Sequence, residues 1–171
     1  MSFTRRSFLA TSALLGNAAL SHHALGLPYR DRPTALLVLC GGTPFDASFF
    51  AGAVAGCRSL GGPVPRKWDV DLAQGDAFAR VRREFSRLHN VTVIGLLEAA
   101  PALLVEQALL ERRATVTQSG DHVGGGMDLE GADWPYRLGH RLAGAAPPAT
   151  GPSRIASAAR PFNLTSFTAL L

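Results

Sequence analysis

The stretch at residues 34–40, TALLVLC, stopped by Gly41-Gly42, constrains the fold more than any other part of the chain. A continuous apolar run of this length has to be buried on both faces, which is the condition of a strand inside a parallel sheet. The residues after it mark a helix start. Thr43 is placed to act as N-cap, Pro44 falls in the first turn, and Asp46 follows three residues after the cap. Phe49, Phe50, Ala53, Val54 and Cys57 then recur at helical spacing, Gly52 and Gly56 permit close backbone contact, and Gly61-Gly62-Pro63 ends the segment.

The alternation continues downstream. Residues 63–75 are irregular or hold a short strand, on which Asp69 and Asp71 would share one face as solvated carboxylates. Asp76 caps the next helix, with Phe78, Val81, Phe85 and Leu88 turned inward and Arg80, Arg83 and Arg87 on a solvated face. Residues 91–95 form a second strand. Leu96-Leu97-Glu98 leads into a helix opened by Pro101 and running to Arg112, so apolar that it should be mostly enclosed. Residues 114–118 form a third strand, followed by a glycine-rich turn at 119–126, and Asp133-Trp134-Pro135 starts a last long helix with Asp133 as its cap. Residues 146–152 read as a linker, 153–160 as a short helix, and 162–171 as an edge strand or an ordered tail. Strands alternating with helices predict a three-layer, Rossmann-like α/β domain: a mostly parallel sheet with helices on both faces.

At the N-terminus, Thr4-Arg5-Arg6-Ser7-Phe8-Leu9 precedes a modestly apolar run from Phe8 to Leu20. This stretch resembles the leader of twin-arginine (Tat) exported proteins, with Arg5, Arg6, Phe8 and Leu9 on the motif and Ala10 in place of its common lysine. The run is too short to cross a hydrocarbon core of about 30 Å, so no stable membrane anchor is expected. Small residues allow cleavage after Ser21 or after Gly26. The resemblance covers the leader, residues 1–26, and implies export of an already folded chain to the periplasm by the twin-arginine machinery. One domain then spans residues 27–171, with 146–171 as linker and C-terminal segment.

Composition bounds the rest. With 47% apolar and 18% charged residues the chain can build one core. Of the formal +4 charge, Arg5 and Arg6 leave with the leader, so nothing points to nucleic acid. Cys40 ends the first strand, while Cys57 lies about 20 Å along a helix that runs back beside it, too far for a disulfide. Two free, buried thiols are predicted. Without a Cys-x-x-Cys pair no structural zinc site of the common types is expected, and no metal ligand set is assigned.

Ligands of such sheets bind outside the carboxyl ends of the strands. The first strand delivers Gly41, Gly42, Thr43 and Asp46, where backbone N–H groups could hold an anion, although Pro44 removes a donor and Asp46 adds a negative charge. The second strand delivers Glu98, and the third Ser119, Asp121 and His122. Asp121 and His122, with Glu98, are the candidate acid–base groups, and Cys40 is a conceivable nucleophile. Adjacent Asp and His do not readily form the oriented chain of a triad with Ser119, and no Gly-x-Ser-x-Gly is present. His89 and His140 should end helices or face water. The leading expectation is a binding or accessory component for an exported complex, with an exported enzyme subunit as partner. The alternative is a small periplasmic hydrolase or transferase using Asp121 and His122. No cofactor fingerprint is present.

Overall fold

The computed structural model describes residues 35–71, 75–124, 133–144 and 162–171. The leader, the linker at 146–152 and the short helix expected at 153–160 lie outside them. The chain order is β1 (Ala35–Cys40), α1 (Asp46–Ser59), β2 (Arg66–Asp69), α2 (Ala77–Ser86), β3 (Val91–Glu98), α3 (Ala99–Glu111), β4 (Thr115–Gly124), α4 (Trp134–Leu142) and β5 (Phe162–Leu170). Five strands form one sheet in the order β2-β1-β3-β5-β4.

The sheet is mixed, which corrects the expectation of a mostly parallel one. β1 pairs parallel with β2 and β3, whereas β5 pairs antiparallel with both β3 and β4. β4 therefore points the same way as β1, β2 and β3, and only β5 is reversed. The C-terminal segment is a strand, but an interior one rather than an edge. In the fold its Thr165 and Ser166 hydroxyls are satisfied across strands. Thr165 donates to Asp121 at 2.9 Å and Ser166 shares a hydrogen bond with His122 at 2.9 Å, which lets both be buried at low cost. Phe167 lies over Gly95, its register partner, where a Cβ would meet the ring at 2.4 Å.

Strand alternation divides the core. Leu37, Leu39, Val93, Leu97 and Phe167 pack on one face with Val81 and Phe85 of α2 and Val105 and Leu109 of α3. Leu36, Val38, Cys40, Ile94, Leu96 and Leu164 pack on the other with Phe49 and Cys57 of α1 and Trp134, Leu138 and Leu142 of α4. α1 and α4 approach backbone to backbone. A Cβ on Gly52 would sit 2.0 Å from the Tyr136 carbonyl oxygen, and one on Gly139 would sit 2.1 Å from that of Phe49. Glycine is required at both positions by space alone. Cys40 and Cys57 are free and buried, as the strand–helix geometry predicted.

Three local expectations change. α1 begins at Asp46, so Thr43 and Pro44 lie in the preceding turn, and neither Asp76 nor Asp133 makes a side-chain cap. β4 runs on to Gly124, so Ser119, Asp121 and His122 sit within a strand instead of a loop, held by a ladder to β5 that sequence proximity could not reveal. α3 is not mostly enclosed: Leu103 is 67% and Leu110 64% exposed, with Leu104 at 39%. Among the described residues no helix is long and apolar enough to cross a membrane.

Candidate functional site

Because β5 is reversed, its N-terminal end lies at the same rim as the carboxyl ends of the other four strands. Glu98 of β3 and His122 of β4 both stand opposite Leu164 of β5. With strands about 4.8 Å apart, their Cα atoms are about 10 Å from each other. Gly41 adjoins the same rim, since a Cβ there would lie 3.1 Å from the Leu97 side chain. The rim thus gathers Gly41, Glu98 and His122.

Side-chain direction separates the other candidates. Asp121 and Ser119 alternate with His122 and face the α3 side. There Asp121 accepts from Thr165 and Ser119 donates to Glu106 at 3.3 Å. Asp121 therefore orients Thr165 rather than His122. His122 shares a hydrogen bond with Ser166, 44 residues downstream, at 2.9 Å, and Ser166 also lies 3.4 Å from the Gly120 carbonyl. The His122 ring stacks on Trp134 (centroids 5.2 Å apart, 28° between planes), and Trp134 in turn meets Phe45 at 5.4 Å. Ser166 is 3% exposed, so this serine–imidazole pair lies beneath the rim surface. Sequence reasoning found His122 and missed Ser166 and Trp134. The available signal was a run of hydroxyl residues, Thr165, Ser166 and Thr168, inside an otherwise apolar segment.

The β1–α1 turn carries the second constellation. Gly42 has φ +78°, a conformation glycine adopts freely. The turn folds its amides back on Asp46: Gly42 N–H donates at 2.8 Å and Thr43 N–H at 3.1 Å to Oδ2, while the Thr43 hydroxyl donates to Oδ1 at 2.5 Å. The donors that could have held an external anion are spent on the chain's own carboxylate. Asp46 is a buried residue at the first turn of α1, where the helix dipole favours negative charge.

Beside it, Cys40 Sγ and carboxylate oxygens of Asp46 and Asp69 lie within 4.8 Å of one another. Asp69 is the register partner of Cys40 on β2 and forms an ion pair with Lys67 at 2.6 Å. Burial pushes the Cys40 thiol up to about 12, and Asp46 and Asp69 add to the shift while Lys67 opposes it. This shift disfavours the thiolate form that a nucleophile needs. Burial raises Cys57 as well. The ion pair with Asp69 holds the Lys67 ammonium above its ordinary range. His140, expected to face water, is instead buried against Tyr136, with no partner for Nδ1 among the described residues.

A shallow groove of about 340 Å³ separates α2 from α3, lined by Ala79, Arg82, Arg83, Ser86, Ala108, Glu111 and Arg112. Arg82 is paired with Glu111 at 2.6 Å, so the lining keeps a positive excess. Leu104 stands one and two helical turns before Ala108 and Glu111 and so borders this basic groove, whereas Leu103 and Leu110 lie about 100° further round the helix.

The chain matches no family model, no curated protein and no solved structure.

Proposed function

We propose that this is a twin-arginine-exported periplasmic accessory protein, which binds an exported partner through the outer face of α3. The observation that carries the reading is the exposure of Leu103, Leu104 and Leu110 on a helix with few polar side chains, Glu106, Gln107 and Glu111. A helix of that character belongs in an interior, and a soluble surface normally presents charge instead. Arg82, Arg83 and Arg112 line the groove that Leu104 borders, and favour a partner that carries carboxylates as well as its apolar contact, as an acidic amphipathic helix does. The layout, with helices on both faces and a reversed β5, is a variant of the doubly wound Rossmann-like plan in which the pairs around β1 keep the parallel half.

The test is the assembly state of the mature protein from periplasm. The native chain should elute as a stoichiometric heterocomplex that weakens with salt. Leu103→Glu with Leu110→Glu should elute alone with its melting temperature unchanged. A native monomer, or a homodimer, defeats the reading.

The second reading, a small hydrolase or transferase, is favoured by one observation, the 2.9 Å contact between His122 and Ser166. In it the imidazole is the base for the Ser166 hydroxyl. Its requirement is access, since Ser166 is buried. Labelling of Ser166 by a small fluorophosphonate, lost in His122→Ala, would establish it; an unlabelled serine would end it.

A further inference from the structure

We propose that Cys40, Asp46 and Asp69 form a three-ligand site for one zinc-class divalent ion at the carboxyl ends of β1 and β2, with its fourth position open at the rim. Three donors from separate segments converge here: the last residue of β1, the first turn of α1 and the last residue of β2, within 4.8 Å of one another. Neither the carboxylates nor the cysteine would suffice alone. The further observation is that Cys40 is fully buried, that its Sγ lies within 4.8 Å of a carboxylate oxygen of each aspartate, and that its thiol, unlike its carbonyl, makes no hydrogen bond among the described residues. Such a thiol gains nothing from its carboxylate neighbours until a cation is placed among them.

The chemistry selects the ion. One soft thiolate with two hard carboxylate oxygens suits zinc better than calcium or magnesium, which take oxygen ligands. Metal–sulfur bonds of about 2.3 Å and metal–oxygen bonds of about 2.0 Å require the donors to close to roughly 3.5 Å. Asp69, with its side chain 70% exposed, is free to make that movement. Asp46 is already oriented by the Gly42 and Thr43 donors, the outer layer of hydrogen bonds that ligating carboxylates keep.

Lys67 is the internal competitor. Its ammonium holds Asp69 at 2.6 Å and supplies the positive charge of the empty cluster. On binding, the ion takes the Cys40 thiolate, the thiol proton passes to solvent, and Lys67 releases Asp69 while staying near enough to balance the charge. Two carboxylates, one thiolate, one divalent ion and one ammonium sum to neutrality.

Titration of the metal-free full chain with zinc, and with cobalt as a spectroscopic probe, tests the site. The expected result is one ion per chain, release of about one proton, and affinity rising about tenfold per pH unit near neutrality. Cobalt should give a near-ultraviolet thiolate charge-transfer band that persists in Cys57→Ser and disappears in Cys40→Ser. Asp69→Asn, at an exposed position that should leave the melting temperature unchanged, should weaken binding at least about tenfold. Lys67→Ala should tighten it. Absence of saturable binding, a band that survives Cys40→Ser, or unchanged affinity in Asp69→Asn would overturn the site.

Discussion

Replacing Gly139 by alanine is the sharpest test of how α4 is seated. The new Cβ would lie 2.1 Å from the Phe49 carbonyl oxygen and 3.0 Å from the Ala53 nitrogen, where ordinary contact begins near 3.4 Å. Both obstructing atoms are backbone, so no side chain can rotate away, and α4 must withdraw from α1 by about 1 Å or more. Overpacking of this kind costs about 1–3 kcal/mol, and a backbone obstruction belongs at the upper end. Alanine returns up to about 1 kcal/mol through its helix propensity. The net expectation is a loss of about 2 kcal/mol. At about 4 °C per kcal/mol for a domain of this size, the melting temperature should fall by about 8 °C. Near-ultraviolet circular dichroism should change with it, since α4 carries the Trp134 ring stacked on His122. Gly75→Ala is the control, because nothing lies within 4 Å of a Cβ there. A Gly139→Ala protein melting within about 1 °C of the parent, or a control that falls equally far, would refute the argument.

Asp46→Ala strips two loop amides and the Thr43 hydroxyl of their acceptor and should cost about 2–3 kcal/mol in urea unfolding; Asp46→Asn, which keeps one acceptor oxygen, should lose less. Cys40 imposes a pH dependence of definite sign. Its thiol is raised to about 12 in the folded chain against 9.0 for an ordinary thiol. Its contribution is complete below about pH 9 and lost as pH rises toward 12, because the unfolded chain ionises first, at up to about 1.4 kcal/mol per pH unit. Urea midpoints of the metal-free chain between pH 8 and pH 10 should therefore fall further for the parent than for Cys40→Ala, and equal falls would contradict the burial argument.

What the sequence revealed, and what it hid, follows from where each interaction closes. The cores of β1 and β3 were legible because continuous apolar runs leave a strand little choice but burial. The inward faces of α1 and α2 were legible because helical spacing is local. The place of β5 was not, since Thr165 and Ser166 look solvent-facing until Asp121 and His122, 44 residues away, satisfy their hydroxyls. The same distance hid the serine–histidine pair and moved Ser119, Asp121 and His122 from an expected loop into a strand. Asp46 was read correctly as a charge at the anion position, yet only the turn geometry reveals that it consumes the donors itself.

The misjudged enclosure of α3 has a different origin, and it bears most directly on function. Apolar residues around a helix establish that its surface should leave water; they do not say whether the cover belongs to the same chain. In the folded domain Val105, Ala108 and Leu109 are covered by the sheet and α2, whereas Leu103 and Leu110, seven residues apart and hence on one stripe, are not. Full burial of one leucine side chain contributes about 1.5–3 kcal/mol, so leaving two exposed forgoes several kcal/mol that a covering surface could recover. Leu104, 39% exposed, stands about 100° round the helix from that stripe and borders the Arg82–Arg83–Arg112 groove, where acidic groups would be attracted and a second basic surface repelled. The proposed partner would have to cover the stripe through the hydrophobic effect, and the positive excess on the Leu104 side would favour acidic groups on whatever part of it reaches there.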